Sequence, residues 1–409
     1  MLFGFGYNGD QQLSSISDAT NTDANDIIIT KPFEIVLKTT ESVKLAHVSI
    51  TWDSILFMFD NGECCVTGSR SRRDWADVLG DISVKNGALS WDYLVIVSNE
   101  GVCYTVTQSS ESKRQTVRTN KAGDDIRLVS VSCGEKCCFA LTESQSVVSL
   151  ERHEECFIMK PISLSAIIKE VSCGKGHTMM LSRIGVVFTC GIGGQGQLGH
   201  GDVDSRTAPT FVEALQCVSV VSVAAGGWHS VALSGRSEDL NHLDILPRMD
   251  LSVLTYLSDE GIIVFIDDDD DNDDDDDLGD LYIWGWNESG QLGFTSKLTK
   301  NEQHTTGDYS KLEEYVNILT DPRIVDLDSS SEITVSKVSC GSRHTAAVTE
   351  TGLLYTWGWN KYGQLGHGDT RSRDKPMPVK HFITNQQVIN QVYCGYWTTV
   401  VLIKPSDGS

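Results

Sequence analysis

No stretch of this 409-residue chain stays apolar for the roughly 20 residues that a membrane helix needs; Gly261 to Ile266 is among its longest apolar runs. Basic residues are scarce, with 33 Lys and Arg against 56 Asp and Glu, a formal charge of −23. Ten of the acids fill Asp267 to Asp271 and Asp273 to Asp277, and subtracting them leaves −13. Phosphate backbones are bound by clustered Lys and Arg, so no direct nucleic-acid contact is expected, and basic proteins remain as partners. Cys-x-x-Cys, His-Glu-x-x-His and Gly-x-Ser-x-Gly are all missing, which argues against a metal hydrolase or a nucleophile-elbow enzyme. No catalytic residue, cofactor or metal is expected. Met1-Leu2-Phe3-Gly4 lacks the charged and long apolar regions of a signal peptide, so the expectation is a soluble intracellular protein without a membrane span.

What the chain does have is a repeated unit, clearest from Lys337 to Asp369. Val338 to Cys340 and Thr345 to Val348 are β-prone runs joined by a Gly341-Ser342-Arg343 knuckle. Thr349 to Gly352 suits a hairpin whose glycine takes positive φ. Val48 to Gly68 and Val171 to Gly191 align on this unit without a gap, and weaker copies start near Ala88, Val131, Val223 and Val392. Seven copies, spaced mostly by about 40 to 54 residues with the one at Val223 interrupted, mean a propeller or a solenoid. The ends separate the two. Val392 to Ile403 supplies only the first half of a unit, while Phe3-Gly4-Phe5-Gly6 and Gln12-Leu13 match the Trp357-Gly358-Trp359 and Gln364-Leu365 half. The sequence therefore predicts an all-β, seven-bladed β-propeller closed by pairing of N- and C-terminal strands, with no open sheet edge.

Cys340-Gly341-Ser342-Arg343-His344-Thr345 and Trp357 to Asp369 resemble the repeats of the regulator of chromosome condensation family, and the resemblance covers nearly the whole chain. It implies a seven-bladed propeller. Through Ala224 to Ser230, Tyr282 to Leu292 and Cys340 to Ala347 it further implies a chromosome-associated, non-enzymatic scaffold. Such a scaffold would work with a Jumonji-type histone lysine demethylase or hydroxylase and affect histone methylation and chromosome segregation. Histones would be further partners, and the nucleus or chromosome, with the cytoplasm, its location. The family's founder implies an alternative, a guanine-nucleotide exchange factor for a small nuclear GTPase. Against it stand the absence of a basic N-terminal tail and the erosion of the first three units. A remote alternative is an ultraviolet-B photoreceptor-like propeller, in which knuckle tryptophans precede arginines. Here Asp53 and Asp92 stand in those places.

The expected organisation is one propeller over 1–404, with an acidic, disordered insertion at 235–279, a long exposed loop at 295–332 and a tail at 405–409. The insertion falls at a hairpin tip, where loop entropy grows slowly with length. Its aspartate run reads as a weak calcium sponge, as a site for a histone-like basic partner, or as inert. Gln108 to Gly123, with Lys113, Arg114, Arg118 and Lys121, reads as an exposed loop that either meets an acidic partner or is merely solvated.

Of the twelve cysteines, Cys133, Cys173, Cys340 and Cys394 share one repeat position, as a small buried hydrophobe would, and reduced thiols are expected. His177, His229 and His344 also share a position, with Ser54, Cys137 and Thr398 elsewhere. A fold needs a residue in every repeat and catalysis needs it once, so each His is expected to bond a neighbouring strand's backbone. Gln197, Gln291 and Gln364 read likewise as loop-pinning amides, and the glycines of Gly193 to Gly199 as part of the repeat loop rather than a phosphate cradle. Function is sought instead at the knuckles, which should share one face of the ring. There lie Trp52, Asp53, Trp91, Asp92, Trp228, Arg343, Tyr396 and Trp397. Aromatics at turn tips either plug the channel or form a protein interface, and interfaces draw their hot spots from Trp, Tyr and Arg.

Overall fold

A computed structural model describes residues 1–13, 27–37, 43–69, 82–107, 114–119, 126–153, 156–235, 279–296, 315–328 and 333–405. β1 (Leu2–Tyr7) and β2 (Ile28–Glu34) open the chain but belong to its last blade. Blade 1 is β3 (Leu45–Ile50), β4 (Ser54–Phe59) and β5 (Cys64–Gly68). Blade 2 is β6 (Val84–Leu89), β7 (Tyr93–Ser98), β8 (Cys103–Thr107) and β9 (Arg114–Thr116). Blade 3 takes the short β10 (Arg118–Thr119), then β11 (Leu128–Cys133), β12 (Cys138–Thr142), β13 (Val147–His153) and β14 (Cys156–Pro161). Blade 4 is β15 (Ile168–Cys173), β16 (His177–Ser182), β17 (Val187–Gly191) and β18 (Arg206–Phe211). Blade 5 is β19 (Val220–Ala225), β20 (His229–Ser234), β21 (Leu281–Trp286) and β22 (Ile318–Ile324). Blade 6 is β23 (Val335–Cys340), β24 (His344–Thr349), β25 (Leu354–Gly358) and β26 (Arg373–Pro378). Blade 7 begins with β27 (Ile389–Cys394) and β28 (Thr398–Ile403), preceded by the one-turn helix α1 (Lys380–Thr384).

Blade 7 closes the ring as its half-units require. β1 pairs antiparallel with β28 from Leu2↔Leu402 to Gly6↔Thr398, and β2 pairs on its other side, giving the order β2-β1-β28-β27. The seven-bladed propeller is thus sealed by its own termini. The predicted hairpin also forms: Gly352 adopts φ +79° and its N–H bonds Thr349 O at 2.9 Å.

The apolar core is distributed between blades rather than gathered at the centre. Second strands such as β4, β16, β20 and β24 are buried along their whole length. Their side chains interleave with those of the next blade, one group joining Met179, Val231, Trp284 and Trp357 and another joining Phe5, Phe57, Val348 and Val401. First strands line the axis. Each carries a bulge after its first residue, as between Ile168 and Glu170 and between Val335 and Lys337. The first residue packs into the core while the third is re-aimed. The third residues, among them His47, Asn86, Glu170, Lys337 and Gln391, line the channel.

Two expectations need correction. The stretch 295–332 is not wholly loop: β22 lies within it, and Leu319, Val325 and Leu327 are buried. Pro322 hid the strand, yet β22 is the outermost of its sheet, where a missing N–H is tolerated. Likewise Arg114 and Arg118 lie in β9 and β10 rather than in a loop, and β10 runs parallel to β14. Lys113, Lys121, the aspartate run and nearly all of 235–279 lie outside the described residues, as do 406–409. What is described at the insertion is its root. Leu233 pairs with Leu281, and the Asp280 N–H donates to Ser234 Oγ at 2.9 Å. We therefore expect that replacing 235–279 by Glu-Thr-Gly leaves the fold intact and raises stability by about 2 kcal/mol, since each doubling of loop length costs about 0.6 kcal/mol. Thermal melting checks this, and loss of soluble expression would show that the segment packs into the blade.

Candidate protein-docking face

The repeated histidines are structural. His177 Nε2 lies 2.9 Å from Ser230 Oγ, His229 Nε2 3.0 Å from Thr345 Oγ1, and His344 Nε2 3.0 Å from Thr399 Oγ1, each in the next blade. Each hydroxyl donates its one proton, at 2.8 Å, to the carbonyl of Gln197, Gln291 or Gln364. Nε2 must therefore carry the hydrogen, and Nδ1, buried without a hydrogen-bond partner, is left unprotonated, so the ring is neutral. Burial pushes these histidines down to about 4 for His177 and about 3 for His229 and His344. The partner is thus a hydroxyl rather than the expected backbone group, and the backbone is reached one step later. The preceding glycine makes room: a Cβ on Gly341 would stand 2.0 Å from His344 Cε1. The glutamines pin their loops as expected, Gln291 Oε1 accepting from Ser289 N at 2.9 Å.

Knuckles and the loops after third strands open at the same end of each blade, because the end of the third strand pairs with the start of the second, as in His229↔Gly285 and His344↔Gly358. Neighbouring knuckles are tied through backbone. Lys175 N donates to Gly226 O, Gly227 N to Gly341 O, and Ser342 N to Tyr396 O, at 3.1 to 3.2 Å.

On this frame the structure brings Trp228 and Arg343 together. The Arg343 guanidinium carbon lies 5.6 Å from the Trp228 ring centroid and 4.8 Å from that of Trp286. Lys175 Nζ approaches Trp228 from blade 4 at 4.5 Å, and the two indoles meet edge-on at 5.5 Å. Arg343 Nη1 bonds Glu288 Oε2 at 2.9 Å, and Lys175 Nζ bonds Glu135 Oε2 at 3.1 Å. Exposed cation–π contacts are worth about 0.5–1 kcal/mol each, enough to set the side chains in place. Trp228 and Trp286 remain partly exposed. Trp286, Lys175 and Glu288 were not singled out from the sequence. The signal for Trp286 was its place: it follows Gly285 as Trp359 follows Gly358.

The remaining knuckle residues form two further groups. Trp52 and Trp91 have centroids 5.7 Å apart, and Trp91 lies 6.2 Å from Tyr396. Trp397 packs on Trp359 at 4.6 Å, and Tyr362 joins both. Trp91 is 48% exposed, so it stands out from the rim rather than plugging the channel. Asp92 pairs with Arg152. Asp53 corrects the sequence reading. It is 3% exposed, accepts from Thr51 Oγ1 at 2.9 Å and also bonds Ser69 Oγ. Its carboxylate holds the knuckle from beneath and offers nothing to a partner.

Among the described residues no group of His, Cys, Asp and Glu is placed to hold a metal, and no helix is long and apolar enough to cross a membrane. The profile of the regulator of chromosome condensation (RCC1) repeat matches residues 185–233, 279–348 and 351–402. RCC1 domain-containing protein 1 of Mus musculus is 35% identical over 267 residues, covering 61% of this chain and 59% of that protein. The chain thus spans about three fifths of the length of that curated relative. The ultraviolet-B receptor UVR8 of Arabidopsis thaliana is 28% identical over 307 residues, covering 69% of this chain and 64% of that one. The crystal structure of Prp20p from Saccharomyces cerevisiae superposes with a TM-score of 0.71 at 17% identity, covering 99% of this chain and 92% of that one, a likeness of fold.

Proposed function

Because this chain is a seven-bladed propeller carrying RCC1 repeats, we propose that it acts as a non-enzymatic protein-docking scaffold whose partner meets the knuckle face. The observation that supports this most is the Trp228, Trp286, Arg343 and Lys175 group, drawn from three blades and partly exposed. It has the residue types in which interface energy concentrates. The proposed partner is a Jumonji-type histone lysine demethylase or hydroxylase, with histones as further partners and the nucleus or chromosome as the place of action. The acidic charge of −23 suits basic partners, and binding to histones is described for the yeast Prp20p propeller. Trp52, Trp91, Asp92, Tyr396 and Trp397 extend the proposed surface. We also hold to one propeller over 1–404 interrupted at 235–279.

A guanine-nucleotide exchange factor is the competing reading, since binding to Gsp1p is likewise described for Prp20p. One experiment separates them. Affinity capture from nuclear extract is compared for the wild type, Trp228→Ala and Arg343→Ala, scoring a demethylase and a small GTPase separately. We expect the demethylase to be captured and each variant to weaken it about thirtyfold, the equivalent of about 2 kcal/mol, with melting lowered by no more than a few degrees. Capture of the GTPase, with nucleotide release accelerated by substoichiometric protein, would replace the scaffold reading. Unfolding of Trp228→Ala would reassign the indole to the core.

A further inference from the structure

The four cysteines at the ends of first strands do not have equal neighbours. Cys173, Cys340 and Cys394 each pair across the sheet with a threonine, Thr178, Thr345 and Thr399. Cys133 pairs with Cys138. The Gly134 N–H donates to Cys137 O at 2.7 Å, so Cys133 and Cys138 occupy a non-hydrogen-bonded site of the ladder. Residues at such sites have Cα atoms about 4.5 Å apart and the closest side chains, inside the range of about 4.4–6.8 Å that a disulfide spans. The two Sγ atoms lie 2.7 Å apart, nearer than two non-bonded sulfurs rest. Blade 3 has the Cys138 thiol where blades 5, 6 and 7 have the hydroxyl that receives the preceding blade's histidine.

We infer that Cys133 and Cys138 are a thiol-oxidation site that takes hydrogen peroxide and closes to a cross-strand disulfide. Access comes from the knuckle end of the channel, where Cys133 lines a cavity of about 240 Å³ together with Gly134, Gly174, Gly226 and Gly341. That space admits a molecule the size of hydrogen peroxide. The Cys133 sulfur attacks one peroxide oxygen, the O–O bond breaks, and the departing oxygen leaves as water with the thiol proton. The Cys138 sulfur then attacks the resulting sulfenic acid at sulfur. The S–O bond breaks as S–S forms, and a second water leaves. Two thiols lose two electrons and one peroxide is reduced to two waters. Burial pushes both thiols upward, while hydrogen bonds from Cys173 and Thr178 hold neighbouring Cys137 lower. Thiolate is the reacting form, so the reaction is slow at neutral pH, and Cys137 is the thiol that would compete.

Digestion with trypsin reads the outcome, because cleavage after Lys136 leaves Cys133 in Leu128–Lys136 and Cys138 in Cys137–Arg152. Folded protein is treated with hydrogen peroxide, free thiols are alkylated, and the two peptides are sought as one linked species lighter by two hydrogens. The linked species is expected in the wild type and in Cys137→Ser. It should vanish in Cys133→Ser and Cys138→Ser and be reversed by a dithiol reductant. Thermal melting of each variant confirms that the fold is kept before oxidation. Full alkylation of both cysteines after peroxide, or a bond running through Cys137 instead, overturns the inference.

Discussion

A chain lacking residues 1–13 is expected to show no cooperative thermal transition. β1 is not an ornament on the edge of blade 7 but its third strand, hydrogen-bonded to β28 on one side and β2 on the other. With it go Phe5 and Leu13, both fully buried, and Leu2 and Phe3, nearly so. A single Phe-to-Ala change in a core costs about 3–5 kcal/mol, and a domain's whole stability is about 5–15 kcal/mol, so losing four such side chains exceeds what the fold holds in reserve. The freed edge of β28 would also offer unpaired N–H and C=O groups to other chains. Circular dichroism on heating, together with light scattering, checks this. A melting curve like that of the full chain would show that the blade stands on two strands and that closure by the N-terminus is dispensable.

The second large effect is acid unfolding below pH 6.5. His177, His229 and His344 titrate near 6.5 when unfolded but only at about 4, 3 and 3 in the fold. His367, half-buried, is pushed down to about 4. The unfolded chain therefore binds more protons across this window, and stability falls as pH falls. Glu170 works the other way. Burial in the channel raises it to about 7, above its unfolded 4.5, so the folded state takes up that proton first and acidification between these values adds stability. For these five groups alone the balance at about pH 5 is roughly three protons, a loss of about 4 kcal/mol per pH unit, and burial lowers His47, His200 and His381 in the same sense. Urea midpoints measured from neutral pH downward should fall at this slope. A flat profile over the window would mean that the buried rings keep the proton affinity they have in the unfolded chain.

The sequence made the ring and its closure legible because a unit that cannot bury its own apolar face must repeat, and each terminus held half of what the other needed. It also made the histidines legible as structural, since the same position recurs, and placed Trp228 beside Arg343, since corresponding residues of successive units are neighbours in a ring. Other features were hidden for local reasons. Trp286 comes from a different repeat position and meets Trp228 within blade 5, where its backbone N–H donates to Trp228 O, while Lys175 reaches the same indole from blade 4. Asp53 is drawn inward by Thr51 and Ser69, a contact that spacing does not reveal. β22 was masked by its proline, and the histidine's hydroxyl partner sits 53 to 116 residues away.

The hydroxyl relay has a mechanical consequence. It spans the joints between blades 4 and 5, 5 and 6, and 6 and 7, while at the other four joints of the ring Ser54, Tyr93, Cys137 and Thr398 stand where the histidine would be. A closed hoop under thermal strain gapes where its fastenings are weakest, and the riveted arc then moves as one plate. Trp228, Trp286, Arg343 and Lys175 all ride on that plate. A partner that grips them meets a surface already held in shape and surrenders little further freedom of this chain on binding, while the ring can still breathe through blades 1 to 3.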